Sequence, residues 1–162
     1  MNAVLSELVR LLKEEAALHQ ELLSIVTKER EILRSFAVEE LYENNKTKET
    51  LILKIRLMEE GRQNLIARFT QDGDSSLTLI QIAELAPEPW KTILLELRAK
   101  LAAVMEEIMA MNNRNRFLIQ YTQNNLNHLY SLITFYGSKE STYNEGGRTA
   151  RGTNGLLVSQ NA

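Results

Sequence analysis

Residues 2–36 read NAVLSELVRLLKEEAALHQELLSIVTKEREILRSF, and this stretch decides the fold class. Apolar residues recur every three or four positions: Val4, Leu8, Leu11, Leu18, Leu22, Ile25, Ile32 and Phe36. A second row runs beside the first, made of Leu5, Val9, Leu12, Leu23, Val26 and Leu33. An α-helix turns once in about 3.6 residues, so side chains at these spacings share one face. Two adjoining rows make a stripe wide enough for more than one partner helix. The remaining positions carry Glu7, Arg10, Lys13, Glu14, Glu21, Lys28, Arg30, Glu31 and Arg34. That face is expected to be solvated.

Outward from this helix, a short break around residues 35–38 leads to a second helix over residues 39–69. Its stripe is Leu41, Leu51, Ile52, Ile55, Met58, Leu65, Ile66 and Phe69. Asn44, Asn45 and Lys48 interrupt the early part, where weaker packing is expected. Residues 71–76 combine Asp72-Gly73 with small polar residues and read as a loop. Ser75 or Ser76 is the expected cap of a short helix over residues 77–85, accepting a bond from a free backbone amide. Ala86-Pro87-Glu88-Pro89-Trp90 is the sharpest punctuation in the chain. Proline suits the first turn of a helix, where its missing amide would have no partner. A third long helix is therefore expected from this point to Tyr136, with a stripe that includes Trp90, Leu94, Leu97, Leu101, Val104, Ile108, Met111, Leu118, Leu126, Leu129 and Ile133. Gly137 is its expected end.

Five of the seven glycines lie after Tyr136. The expected organisation is thus a helical bundle domain over residues 1–136 and a flexible C-terminal tail over residues 137–162. The expected fold is all-α: an elongated antiparallel bundle or coiled coil of three long helices plus one short helix. Helices this long have to lie side by side to bury their stripes.

Composition narrows the function. The net charge is −2, from 19 basic and 21 acidic residues, which offers no electrostatic case for a nucleic-acid partner. No cysteine is present, so disulfides, thiolate metal sites and cysteine nucleophiles are excluded. Residues 1–10 lack a basic segment followed by a long apolar run, and no apolar run reaches membrane-spanning length. A cytoplasmic protein without a membrane span is expected. His19 and His128 are the two histidines, and neither stands in a metal-ligand spacing. Glu14/Glu15, Glu39/Glu40, Glu59/Glu60 and Glu106/Glu107 are adjacent pairs, which point about 100° apart on a helix and do not face each other. Gly146-Gly147 is not followed by the lysine of a phosphate loop. No catalytic, metal or cofactor residue is assigned, and a binding protein rather than an enzyme is expected.

Residues 108–138 differ from the rest. They contain no acidic residue and two basic ones, Arg114 and Arg116, whereas residues 2–36 carry eleven charges. Asn112, Asn113, Asn115, Asn124, Asn125 and Asn127 take the place of charge, and apolar groups fall on more than one face. One reading is a well-buried helix end, with Met105, Met109 and Met111 as adaptable filler. The other is a partner-binding surface, since depleted charge with enriched aromatics marks an interface core. In that reading the candidate contacts on the helix are Asn115, Leu118, Ile119, Asn125, Leu126, Leu129, Tyr130, Ile133 and Tyr136. Tyr143, Leu156 and Leu157 join them from the tail, where an apolar cluster is unexpected unless it docks.

The order and spacing of several segments resemble the FlgN-type flagellar export chaperones. The first helix contributes Leu22-Leu23-x-x-x-x-Lys28-Glu29-Arg30-Glu31-x-Leu33. The second contributes Val38-Glu39-Glu40-Leu41, Lys48-x-x-Leu51 and Leu57-Met58-Glu59-x-x-Arg62. Asn112-x-x-Asn115-x-x-Leu118-Ile119, Leu126, Leu129 and Tyr136-Gly137 follow, then Thr142-Tyr143-x-x-x-Gly147-Arg148 and Leu156-Leu157. Thr149-Ala150-Arg151-Gly152 departs from the pattern. The resemblance implies a cytosolic chaperone that holds the hook–filament junction proteins unassembled and delivers them to the flagellar type III export apparatus. The implied partners are hook-associated proteins 1 and 3 (FlgK- and FlgL-like), held through their terminal helices, with cargo binding in the C-terminal part. A structural coiled-coil adaptor that homo-oligomerises through the same stripe is the alternative. The expected state is a monomer or small homo-oligomer.

Overall fold

The computed structural model describes residues 2–69 and 77–140. They form four helices, α1 (Asn2–Ser35), α2 (Val38–Phe69), α3 (Leu79–Leu85) and α4 (Trp90–Glu140), with no strand among the described residues. The fold is all-α, with three long helices and one short one. The expected loop at residues 71–76 lies outside the described residues, as do the caps at Ser75 and Ser76. The chain divides into two compact units, Met1–Leu118 and Ile119–Ala162.

In the first unit the three long helices share one spacing rule. On α1 the inward side chains are Leu5, Leu8, Leu12, Glu15, His19, Leu22, Val26 and Glu29, all buried. The intervals alternate three and four, which is the heptad seam of a coiled coil. Leu94, Leu101, Val104, Ile108 and Asn115 on α4 follow the same alternation and are buried too. On α2 the buried Asn44 and Leu51 alternate with the half-buried Lys48, Ile55, Met58 and Arg62.

Interhelical bonds give the directions. Lys48 on α2 reaches Glu29 on α1, and Arg62 reaches Glu15. Numbers rise on one helix as they fall on the other, so α1 and α2 are antiparallel. Leu94 and Leu101 of α4 pack with Leu5, Leu8 and Leu12, whereas Val104 and Ile108 pack with Leu22 and Val26. Here α4 runs parallel to α1.

Two apolar clusters result. One joins Leu5, Leu8, Leu12, Ile66, Ile82, Leu94 and Leu101, and the other joins Leu22, Val26, Leu51, Val104 and Ile108. Each buried leucine contributes roughly 1.5–3 kcal/mol relative to an exposed one. Between the clusters α1 places Glu15 and His19, whose Nδ1 lies 2.8 Å from the Glu15 carbonyl oxygen. His19 is thus a helix-packing residue.

The helix ends follow local chemistry. Phe36 closes α1 with φ of 56°, a left-handed conformation that a side chain with a Cβ disfavours. Thr78 caps α3 in place of the expected serines. Its Oγ1 accepts from the Gln81 amide at 3.4 Å, and its own amide donates to Gln81 Oε1 at 2.8 Å. This reciprocal pair is a capping box, and it moves the helix start to Leu79. Pro87 precedes α4 and accepts from the Trp90 amide at 2.9 Å. The expected end of α4 at Gly137 is corrected: the helix continues to Glu140. Glycine in a helix costs about 1 kcal/mol relative to alanine but clashes with nothing, so one glycine does not terminate an established helix.

Candidate partner-binding surface

The described part of the second unit is the α4 segment over residues 119–140. Its apolar side chains are exposed: Ile119, Tyr121, Leu126, Leu129, Tyr130, Leu132, Ile133, Phe135 and Tyr136. Ile133 keeps 70% of its surface and Tyr136 65%, values normally found for charged side chains. A contiguous exposed apolar patch marks an interaction site more often than a neutral surface does. The buried-helix-end reading is not what the structure has here. Met105 and Met109 are exposed as well, and Met111 alone of the three packs against a core cluster.

The Ser131 and Thr134 hydroxyls donate to the carbonyls of Asn127 and Tyr130, so both are satisfied within their own helix. Phe135 and Tyr136 stand edge to face, ring centroids 5.6 Å apart. This geometry suits the aromatic quadrupole and makes one broad aromatic ridge. Charge is sparse, so little ionic desolvation opposes a partner's approach.

The residues singled out from sequence fall into three groups. Ile119, Asn125, Leu126, Leu129, Tyr130, Ile133 and Tyr136 are exposed on the α4 segment of the second unit. Asn115 and Leu118 belong to the first unit. Asn115 is buried, and its Nδ2 donates to the Val26 carbonyl at 2.9 Å and to Glu29 Oε2 at 3.1 Å. Its Oδ1 is buried without a partner. Leu118 is half-buried. Tyr143, Leu156 and Leu157 lie outside the described residues.

Phe117, Tyr121, Leu132 and Phe135 stand in sequence among the apolar groups of this stretch but not among the candidate contacts, and they are as exposed as the residues chosen. Their signal was apolar character off the main stripe. Sequence reasoning missed the ion pairs Glu15–Arg62 and Glu29–Lys48, at 3.0 and 2.9 Å, each joining a buried carboxylate to a half-buried cation. No group of three or more His, Cys, Asp or Glu residues that could hold a metal ion occurs among the described residues. Among the same residues, no helix is long and apolar enough to cross a membrane.

The model of the family described as "FlgN protein" matches residues 1–151. No curated protein and no solved structure matches the chain.

Proposed function

The chain belongs to the FlgN family of flagellar export chaperones, and on that premise we propose that its cargo is the hook–filament junction proteins. In this reading the protein works in the cytoplasm as a carrier, not as an enzyme. It captures the terminal helices of hook-associated proteins 1 and 3, keeps them unassembled and hands them to the export apparatus.

The observation that carries the reading is the exposed, charge-poor stretch on α4 from Ile119 to Tyr136. A cargo helix with apolar residues every three or four positions would lay its stripe against Leu126, Leu129, Ile133 and Tyr136. Roughly 1.5–3 kcal/mol per buried leucine lets a few anchors support micromolar or tighter binding after the cost of association. Asn125 would supply amide bonds to cargo polar groups. Asn115 is spent on α1 and acts through the bundle instead. Tyr143, Leu156 and Leu157 would add contacts once cargo is bound.

Isothermal titration of the full chain with a purified hook-associated protein tests the proposal. A stoichiometric complex is expected, weakened at least about tenfold by Leu126→Asp or Ile133→Asp. Undiminished affinity in both variants, with helicity intact by circular dichroism, would sink it. Assembly of the isolated chain through the same residues, without cargo binding, would favour the adaptor instead.

A further inference from the structure

A second surface lies in the first unit, where Arg30 and Arg34 of α1 meet Asn113, Arg114, Phe117 and Leu118 of α4 around a groove of about 380 Å³. Three arginines line it. None forms an ion pair among the described residues, whose interhelical pairs use Arg62 and Lys48. Arg30 Nη1 has a 3.9 Å contact to Met111 Sδ, and the neighbouring Glu29 carboxylate is held by Lys48 and Asn115. From residue 108 to residue 138 the chain offers no acidic residue to balance the charge.

A lone arginine in the last turn of α1 would be ordinary, because a cation there complements the helix dipole. That explains Arg34 and leaves Arg30 and Arg114 unaccounted for. The other wide grooves differ in kind: the one bearing Lys54 also carries Glu14 and Glu21, and the one bearing Lys28 also carries Glu39, Glu40 and Glu43. Both signs are present in each. Only the Arg30 groove, of these three, carries charge of a single sign, and it sets that charge around an apolar floor with Phe117 71% exposed.

We propose that this groove docks an acidic amphipathic helix of a partner protein, its carboxylates on Arg30, Arg34 and Arg114 and an apolar anchor on Phe117 and Leu118. Paired N–H donors on each guanidinium match a carboxylate in a bidentate fork. The chain's own residues 141–162 carry Glu145, Arg148 and Arg151, a net positive charge unsuited to the groove. Nucleic acid would need a longer basic track than three side chains in a protein of net charge −2. The arginines of the groove are not among the proposed cargo contacts, so variants of Arg34 and Arg114 test this proposal apart from the cargo reading.

Fluorescence anisotropy with the full chain tests this, using a labelled helical peptide that carries a leucine stripe flanked by glutamates, and its twin with lysine at every glutamate. The glutamate peptide is expected to bind at least about tenfold more tightly than the twin, with an affinity that falls as salt rises. Arg34→Gln with Arg114→Gln, both exposed and without an ion-pair partner among the described residues, is expected to lower the affinity at least about tenfold. Leu126→Ala with Ile133→Ala removes apolar contacts open to both peptides, and is expected to leave the preference for the glutamate peptide over its twin unchanged. Absent binding, equal binding of the twin, or an unaltered affinity in the arginine variant overturns the proposal. So does tighter binding of a labelled single-stranded oligonucleotide, or arginine-dependent self-association in sedimentation.

Discussion

Glu29 receives three bonds at once, two from Lys48 Nζ at 2.9 and 3.1 Å and one from Asn115 Nδ2 at 3.1 Å. It occupies a heptad seam position where an apolar residue would be usual. A buried carboxylate is tolerable only while its partners remain, because removal of one leaves a charge without water or counter-ion. Lys48→Met is therefore expected to destabilise the bundle by about 2–4 kcal/mol, and Glu29→Leu with Lys48→Met to recover most of that. Urea denaturation of the single and double variants measures both. A single variant as stable as the parent would show that the pair contributes nothing. At the surface, Arg10 donates to Glu7 and Glu14, and the bonded guanidinium holds the Glu7 carboxyl below the usual carboxylate range. A depressed folded-state pKa makes the contribution present above the ordinary value and lost as the pH falls through the lowered one. A Glu7 side-chain NMR titration is expected to have a midpoint below that of an unfolded reference peptide, and Arg10→Gln to raise it. Both side chains are about half exposed and screened by solvent, so the effect on global stability is small.

At the scale of elements, α1 and α4 were legible from periodicity alone, because a wide apolar stripe records a helix that is packed from more than one side. The early turns of α2 were harder, since Asn44 and Lys48 looked like interruptions. The structure turns them into interhelical contacts: Asn44 Nδ2 donates to the Ile25 carbonyl at 3.4 Å, and Lys48 holds Glu29. Local rules also misplaced two boundaries. Thr78 capped where Ser75 or Ser76 was expected, and Gly137 was passed through. Capping depends on which hydroxyl finds a reciprocal partner, here Gln81, and helix continuation depends on the turns already formed. Gly61 lies within α2, and a Cβ there would meet nothing within 4 Å. Gly61→Ala is therefore expected to stabilise the protein by about 0.5–1 kcal/mol, chiefly by restricting the unfolded chain. Thermal unfolding followed by circular dichroism checks this, and a lowered midpoint would contradict it.

For the whole molecule, stability and binding are expected to separate. The side chains of Leu126 and Ile133 are 60% and 70% exposed, so Leu126→Asp and Ile133→Asp should shift unfolding by no more than about 0.5 kcal/mol while cargo binding is lost. A matched fall in both would mean that these residues serve the fold. The contrast shows what each source of information decided. The sequence by itself determined four helices, their approximate limits and the charge-poor character of residues 108–138, because periodicity and composition are properties of a single chain segment. It could not determine which polar residues go inside. Glu15, His19, Glu29 and Asn115 share a seam with leucines, and only the tertiary structure supplied Arg62, Lys48 and the Val26 carbonyl at the same level. Nor could periodicity tell a stripe that is covered from one left open, since Ile108 and Ile133 look alike in sequence. Ile108 is buried against Leu22 and Val26, whereas Ile133 faces solvent. Burial depends on whether another helix occupies the neighbouring space, and that is decided by the path of the whole chain.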